Sequence, residues 1–301
     1  MASPVVSVGF SSARAPAPRP PTGRRSGRRG GAGPVVSHIL LAVYATIVLV
    51  PLVFVVYLSI KDIPGIIGTP LSLPSVVHVE NYPQAWSEGN LGRFLLNTII
   101  VASATVLAIL AFSSLAAFVI ARYRFRGNQL LYLFFVSGLA LPIQIIALPI
   151  FILIKNLHLL NTLPSLIIVF SSGGISFSVF ILVNFMRSIP FELQEAAVID
   201  GAGPWRIYWH IILPLVRPAL GIVAIFQFLA AWKEFFLPLL LVQDPENMTV
   251  PVGILSFVGE HATQWQLLLA GLVIISLPTI IGFLLVAKQF RRNLISGGVK
   301  M

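Results

Sequence analysis

Cysteine is absent from the 301 residues. That excludes a disulfide framework, a thiolate metal site and a thiol nucleophile. Charge is also scarce. Asp, Glu, Lys and Arg make up 10% of the chain, where a soluble domain carries about 25%. A soluble fold of this length could not cover its surface with so few charges. Acids number only 10, and the five His are scattered. No His/acid spacing fits a metal, and no catalytic constellation lies in the apolar runs. The sequence therefore assigns no catalytic residues and no metal ligands, which disfavours an intramembrane protease or transferase. A G-x-x-x-x-G-K-[ST] loop is missing too, so no ATP site is recognised in this chain.

What is abundant is apolar surface: 57% of residues, with a mean hydropathy of +0.93. Such a chain does not stay solvated as a disordered coil. A bilayer core of about 30 Å needs roughly 20 apolar residues of helix. Six stretches qualify: Val35 to Ile60, Phe94 to Ala121, Gly127 to Ile154, Thr162 to Met186, Leu213 to Val242, and Gln266 to Ala287. None alternates like a barrel strand. The expected fold is all-α and integral to the membrane, with six spans over residues 35–290.

Lys and Arg placement sets the orientation. With the N-terminus inside, 16 of the 20 basic residues fall on the inner side. Only Lys61, Arg93 and Lys155 fall outside, and Lys233 lies in the fifth span. Both termini are expected in the cytoplasm, with residues 61–93, 155–161 and 243–265 external. Topology accounts for most of the net charge of +10, so no nucleic-acid partner is required. Residues 1–34 read as a disordered basic tail that can touch anionic lipid. Arg24-Arg25 ahead of an apolar run could open an export signal, but that run is far longer than a signal's h-region of about 7–15 residues. An uncleaved first span is expected. No internal repeat is evident.

Residues 187–212 form the most informative inner loop. Pro190 and Glu192 suit a helix start. Asp200-Gly201 suits a stop, because Gly tolerates positive φ. Gly203-Pro204 suits a second start, giving a short helix from Trp205 to Ile212. The expected product is a helix–turn–helix with small residues at the bend. From the residues alone, an amphipathic connector and a docking surface are equally good readings.

Inside the spans, the polar residues Asn97, Gln144, Asn184, Gln227, Lys233 and Glu234 carry two readings. They could line a translocation pathway, for which Gln144, Gln227, Lys233 and Glu234 are the candidates, or they could pack helices together. Gln144 sits between Pro142 and Pro149, where a kink can open a cavity or merely pack. Ser171-Ser172-Gly173-Gly174 could unwind the fourth span, though close helix packing is the simpler account. An ion-coupled carrier would use Lys233 and Glu234, but such carriers tend to show internal repeats.

Glu195-Ala196-Ala197, then Asp200-Gly201-Ala202, then Ile211, Leu213, Pro214 and Pro218 resembles the E-A-A loop of ABC-importer permeases. Trp232-Lys233-Glu234-Phe235 with Pro238 is similar to that family's W-N-E/D-F-x-x-P segment, with Lys233 where Asn is usual. Ile295-Ser296-Gly297-Gly298-Val299-Lys300 resembles the ending of the second, maltose-type carbohydrate permease. The resemblance implies a permease for a sugar or oligosaccharide in a bacterial-type cytoplasmic membrane, with a same-superfamily permease for a non-sugar solute as the alternative. It implies a second permease subunit, two ATPase subunits or domains and an extracytoplasmic sugar-binding protein as partners. No cofactor is expected in this chain, and ATP and Mg belong to the partner ATPase. It further implies that Glu195, Ala196, Ala197, Asp200, Gly201 and Ala202 couple to the ATPase, with Ala196 and Ala197 facing it and Trp205 and Trp209 near the membrane surface. The tail, residues 291–301, would reach the ATPase through Gly297, Gly298 and Lys300.

Overall fold

The computed structural model describes residues 32–259 and 263–297. The expected basic tail therefore lies almost wholly outside the described residues, as do Gly298 and Lys300. Among the described residues there is no strand, only an isolated bridge between Val258 and Thr263. The chain divides into two units, residues 1–50 and 51–301. The described part of the first is the leading half of helix α1, Ala32–Ser59, where the Thr46 hydroxyl donates to the Ala42 carbonyl at 2.9 Å.

The second unit begins inside α1. Short helices α2, Ile63–Ile67, and α3, Asn81–Glu88, precede the 32-residue α4, Leu91–Arg122. Next come α5, Asn128–Ser137, and α6, Ile143–Asn156, then α7, Leu163–Arg187. The inner loop supplies α8, Glu192–Ile199, and α9, Pro204–Ile207, which runs through a π-type turn into α10, Leu213–Leu215. Helices α11, Arg217–Lys233, α12, Phe236–Leu241, α13, Val250–Gly253, and α14, Trp265–Gly297, complete the chain.

Among the described residues, four helices are long and apolar enough to cross a membrane, and up to six segments are if each of two bent pairs counts as one span. The third apolar run is not one straight helix. It bends by 102° between Ala140 and Ile143. Pro142 lacks an amide donor and holds Leu141 in extended backbone, with φ −91° and ψ 110°. The fifth run also departs from expectation. It bends by 73° around Val216, and its helix ends at Lys233 rather than Val242. Glu234 is extended, with ψ 123°. Conversely, α14 continues past Ala287 to Gly297, so part of the expected tail is helical.

Helices α4 and α7 form the principal pair. The buried face of α4 includes Thr98, Ala102, Thr105, Ser113, Ser114 and Ala117, small side chains that let backbones approach. Lipid chains are as apolar as a core, so close packing of this kind holds membrane helices together. Three apolar clusters result. One joins α4 and α7 to the inner loop and α11, through Phe118, Leu182, Ile207, Tyr208 and Val223. A second joins α3, the start of α4, α13 and α14. The third joins α4, α6, α7 and α12. The region 243–265, expected as an external loop, contributes to the core: Val250 and Phe257 are buried. Asn97 pins it, donating to the carbonyls of Glu246 and Met248 at 2.9 Å each.

Candidate functional site: the inner loop and a central cavity

The inner loop folds as two helical pieces around one glycine. Helix α8 opens with Glu192 and Glu195 in its first turn, where carboxylates complement the helix dipole. It starts at Glu192, two residues later than Pro190 suggested. Asp200 is its C-cap, and Gly201 follows with φ +79°. The Ala202 amide donates to the Ala197 carbonyl at 2.9 Å and the Gly201 amide to the Val198 carbonyl at 3.0 Å. This is the paired closure of a Schellman cap, which needs a left-handed residue where Gly201 stands. A Cβ on Gly201 would meet nothing within 4 Å, so glycine is required here by its dihedral angle and not by crowding within this chain. The loop's second half is rooted in the core. The Tyr208 hydroxyl lies 2.7 Å from the Ser114 hydroxyl, both buried, and its ring packs 5.3 Å from Phe118.

Exposure divides the expected coupling residues. Glu195, Ala196, Asp200 and Gly201 are exposed, and Ala202 is half-buried. Ala197 is buried in the first core cluster, so it does not present itself outward as expected. Its methyl instead seats α8 on the body of the protein. Leu193, Val198 and Ile199 are also exposed, the last 85%, as are Trp205 and Trp209 in the loop's second half.

A cavity of about 390 Å³ opens between α4, α6, α7, α11 and α12. Gln227 and Glu234 line it, with Thr105, Gly174 and the rings of Phe170, Phe177 and Phe226. Gln227 donates through Nε2 to the Gly174 carbonyl at 3.0 Å and to the Ser178 hydroxyl at 3.1 Å. Glu234 accepts from the amides of Phe236 and Leu237 at 3.1 and 3.3 Å, so one carboxylate oxygen caps the restarted helix. Thr105 Oγ1 is buried without a partner. A Cβ on Gly174 would sit 2.3 Å from Ile109 Cδ1. Helix α7 is unbroken there, so Gly174 serves close packing and no unwinding occurs. Gln144 and Lys233 are exposed and outside this lining. Of four pathway candidates, the fold gathers Gln227 and Glu234 and leaves the other two apart. Asn184 is exposed and bonds its own helix at Phe180. Gly297 is the last described residue of α14.

Two features carried no sequence signal as sites. Lys61 is 1% exposed, and its ammonium donates to the carbonyls of Thr69, Pro70 and Ser72. Arg122, counted in the sequence only for topology, is 4% exposed and donates to the Ile189 carbonyl at 3.0 Å. Their partners are backbone atoms, which side-chain patterns do not reveal.

Comparison with known proteins follows the same architecture. Residues 109–294 match the family profile of the binding-protein-dependent transport system inner membrane component. A diacetylchitobiose uptake system permease protein of Streptomyces coelicolor is 35% identical over 266 residues, covering 88% of this chain and 86% of that protein. A trehalose/maltose transport system permease protein of Thermococcus litoralis is 35% identical, covering 88% and 95%. A melibiose/raffinose/stachyose import permease protein of Bacillus subtilis is 29% identical, covering 87% and 95%. The fold matches a chain of a bacterial ABC transporter involved in import of the acidic polysaccharide alginate, with TM-score 0.76, 22% identity, and coverage of 86% and 96%. The chain belongs to the family of inner-membrane permease components of binding-protein-dependent transport systems.

Proposed function

We propose that this permease forms half of the pathway of an ATP-driven importer for a sugar or oligosaccharide. The two bent pairs each count as one span in this reading, giving six spans with both termini cytoplasmic. The bilayer is a bacterial-type cytoplasmic membrane. A related permease supplies the other half, an extracytoplasmic binding protein delivers the saccharide, and two ATPase subunits hold the ATP and Mg. The domain limits follow as a basic tail over 1–34, a permease body over 35–290 with the loop 187–212, and a tail over 291–301.

The observation that carries this is the inner loop. A surface loop held by a Schellman cap and rooted through Tyr208 in the α4–α7 core is stiff enough to move those helices with it. Its exposed side chains mix apolar groups such as Val198 and Ile199 with the carboxylates Glu195 and Asp200, which suits seating in a protein cleft. Glu195, Ala196, Asp200 and Gly201 meet the ATPase, while Ala197 and Ala202 transmit the motion inward. The same reading gives Gly297, Gly298 and Lys300 of the C-terminal segment a contact with the ATPase.

The saccharide reading is supported by relatives named for diacetylchitobiose, trehalose/maltose and melibiose transport, and by the cavity. Aromatic faces beside Gln227, Glu234 and Thr105 suit a sugar's apolar faces and hydroxyls. An ion-coupled carrier would need Lys233 and Glu234 in the same site. Lys233 is exposed outside the cavity, and a Glu234 oxygen already holds two amides. The test is reconstitution in proteoliposomes. Uptake should require the second permease, the ATPase, ATP and the loaded binding protein. Uptake by this chain alone, without ATP, would refute the proposal.

A further inference from the structure

We infer that Arg122 is the receptor for one carboxylate on the ATPase partner, gripped side-on in a pocket under α8. This rests on the docking reading above and specifies its chemistry. The pocket, about 580 Å³, is lined by Arg122, Arg124, Phe191, Gln194 and Glu195. Arg122 uses Nη1 on the Ile189 carbonyl. Its Nε and Nη2 are buried and have no acceptor. Gln194, 6% exposed, has its Oε1 buried with no donor. Two idle polar groups thus belong to residues of two elements that line one pocket, where the pocket wall now covers them, and leaving them so is costly unless a partner that moves the wall completes them.

The idle atoms name the occupant. Nε–H and Nη2–H are parallel donors on one edge of a planar fork, the edge that takes a carboxylate with two bonds. Glu195 of the same pocket does not fill it: the ion pairs among the described residues are His78–Glu80 and Arg93–Glu246. The lining carries two arginines and one glutamate, a net single positive charge that one carboxylate balances. A phosphate would bring more charge beside Glu195 and no donor for Gln194 Oε1. A protein segment brings an acidic side chain and backbone N–H groups together. The Phe191 ring lies 5.7 Å from the Arg122 guanidinium and forms part of the wall that a docking partner would displace.

The test measures affinity of the cognate ATPase for the full permease pair. Arg122→Lys keeps the charge and a donor for Ile189 but loses the fork, and affinity should fall about thirtyfold. Arg122→Glu should bind worse, and one Asp→Arg or Glu→Arg change on the ATPase docking face should rescue it. Ala196→Cys, in this cysteine-free chain, reports docking separately by cross-linking to the ATPase. Native affinity for Arg122→Lys with cross-linking retained would leave docking standing and overturn the carboxylate receptor. Loss of cross-linking by Ala196→Cys in an otherwise native chain would overturn the docking reading and this inference with it. If Arg122→Lys melts below the native pair, Gln194→Leu decides: weakened ATPase binding supports the receptor, native binding refutes it. Recovery that depends on phosphatidylglycerol vesicles, with no rescuing charge swap, would assign the edge to lipid and overturn the inference.

Discussion

Gly201→Val is the sharpest perturbation, because the structure isolates its cause. A Cβ at this position meets no atom within 4 Å, so crowding at the first side-chain carbon is not the issue. What it cannot accept cheaply is φ +79°. An L-residue in the left-handed region costs roughly 1–2 kcal/mol, with β-branched residues worst placed. If the loop instead relaxes to negative φ, the bonds Ala202 to Ala197 and Gly201 to Val198 are lost and the strain is avoided. A preference of that size shifts the loop's capped-to-uncapped ratio about 5–30-fold, and apparent affinity falls by up to that factor, following the remaining capped fraction, when only the capped form docks. Membrane insertion should be unchanged, because the apolar runs carry their own signal.

Two companions sharpen the test. Gly201→Asn should cost less, since Asn tolerates the left-handed region. Gly203→Ser adds a side chain two residues away where φ is −73° and space is open. Serine is also a favoured N-cap there, so this control should be neutral. The assay is ATPase recovered with the tagged permease, alongside sugar uptake in vesicles. Native recovery and native uptake for Gly201→Val would mean that the capped geometry is not used for coupling.

Lys61→Met should lower stability by about 2–3 kcal/mol, read as detergent melting, because it strands carbonyls that the ammonium now holds. Gly174→Ala should cost about 1 kcal/mol and reduce uptake, since its methyl displaces Ile109 and Gln227; Gly173→Ala, with nothing within 4 Å, should raise melting slightly, because Ala is the better helix former. Glu234→Ala should cost about 1 kcal/mol by losing the cap on Phe236 and Leu237, whereas Glu234→Gln retains an acceptor and should melt like the native protein. A backbone hydrogen bond, then His78, holds the Glu80 carboxyl below its ordinary value. Its stabilising contribution is present above the ordinary carboxylate pKa and is lost as pH falls through the lowered one; Glu80→Gln should remove that acid-side change in melting.

The four long apolar helices and the two-helix form of the loop were legible because their signals are local. Twenty apolar residues mark a helix whatever surrounds them, and Asp200-Gly201 and Gly203-Pro204 mark a bend through dihedral preference alone. The breaks were legible only in part. Pro142 breaks its run while Pro149 lies inside α6, and nothing local distinguishes the two prolines. The outcome depends on whether neighbouring helices reward the bend. Ala197 shows the same limit from another side. Its neighbour Ala196 is the same residue type, yet only Ala197 meets the core. Which alanine faces inward is a matter of helix phase, and that is set by where Tyr208 and Ile207 anchor the loop.

Glu234 is where the two readings of an acid in a membrane chain meet. Its extended backbone ends α11, and its carboxylate restarts the chain as α12. A broken helix at depth is tolerated where it lines a cavity, and Glu234 lines one. The cap and the cavity are therefore not rival explanations. A glutamine would keep the amide bonds and remove the charge. If Glu234→Gln keeps its melting temperature and loses uptake, the charge acts on the passing solute. If it keeps both, the residue is a cap that happens to face the cavity, and its charge is not used in uptake.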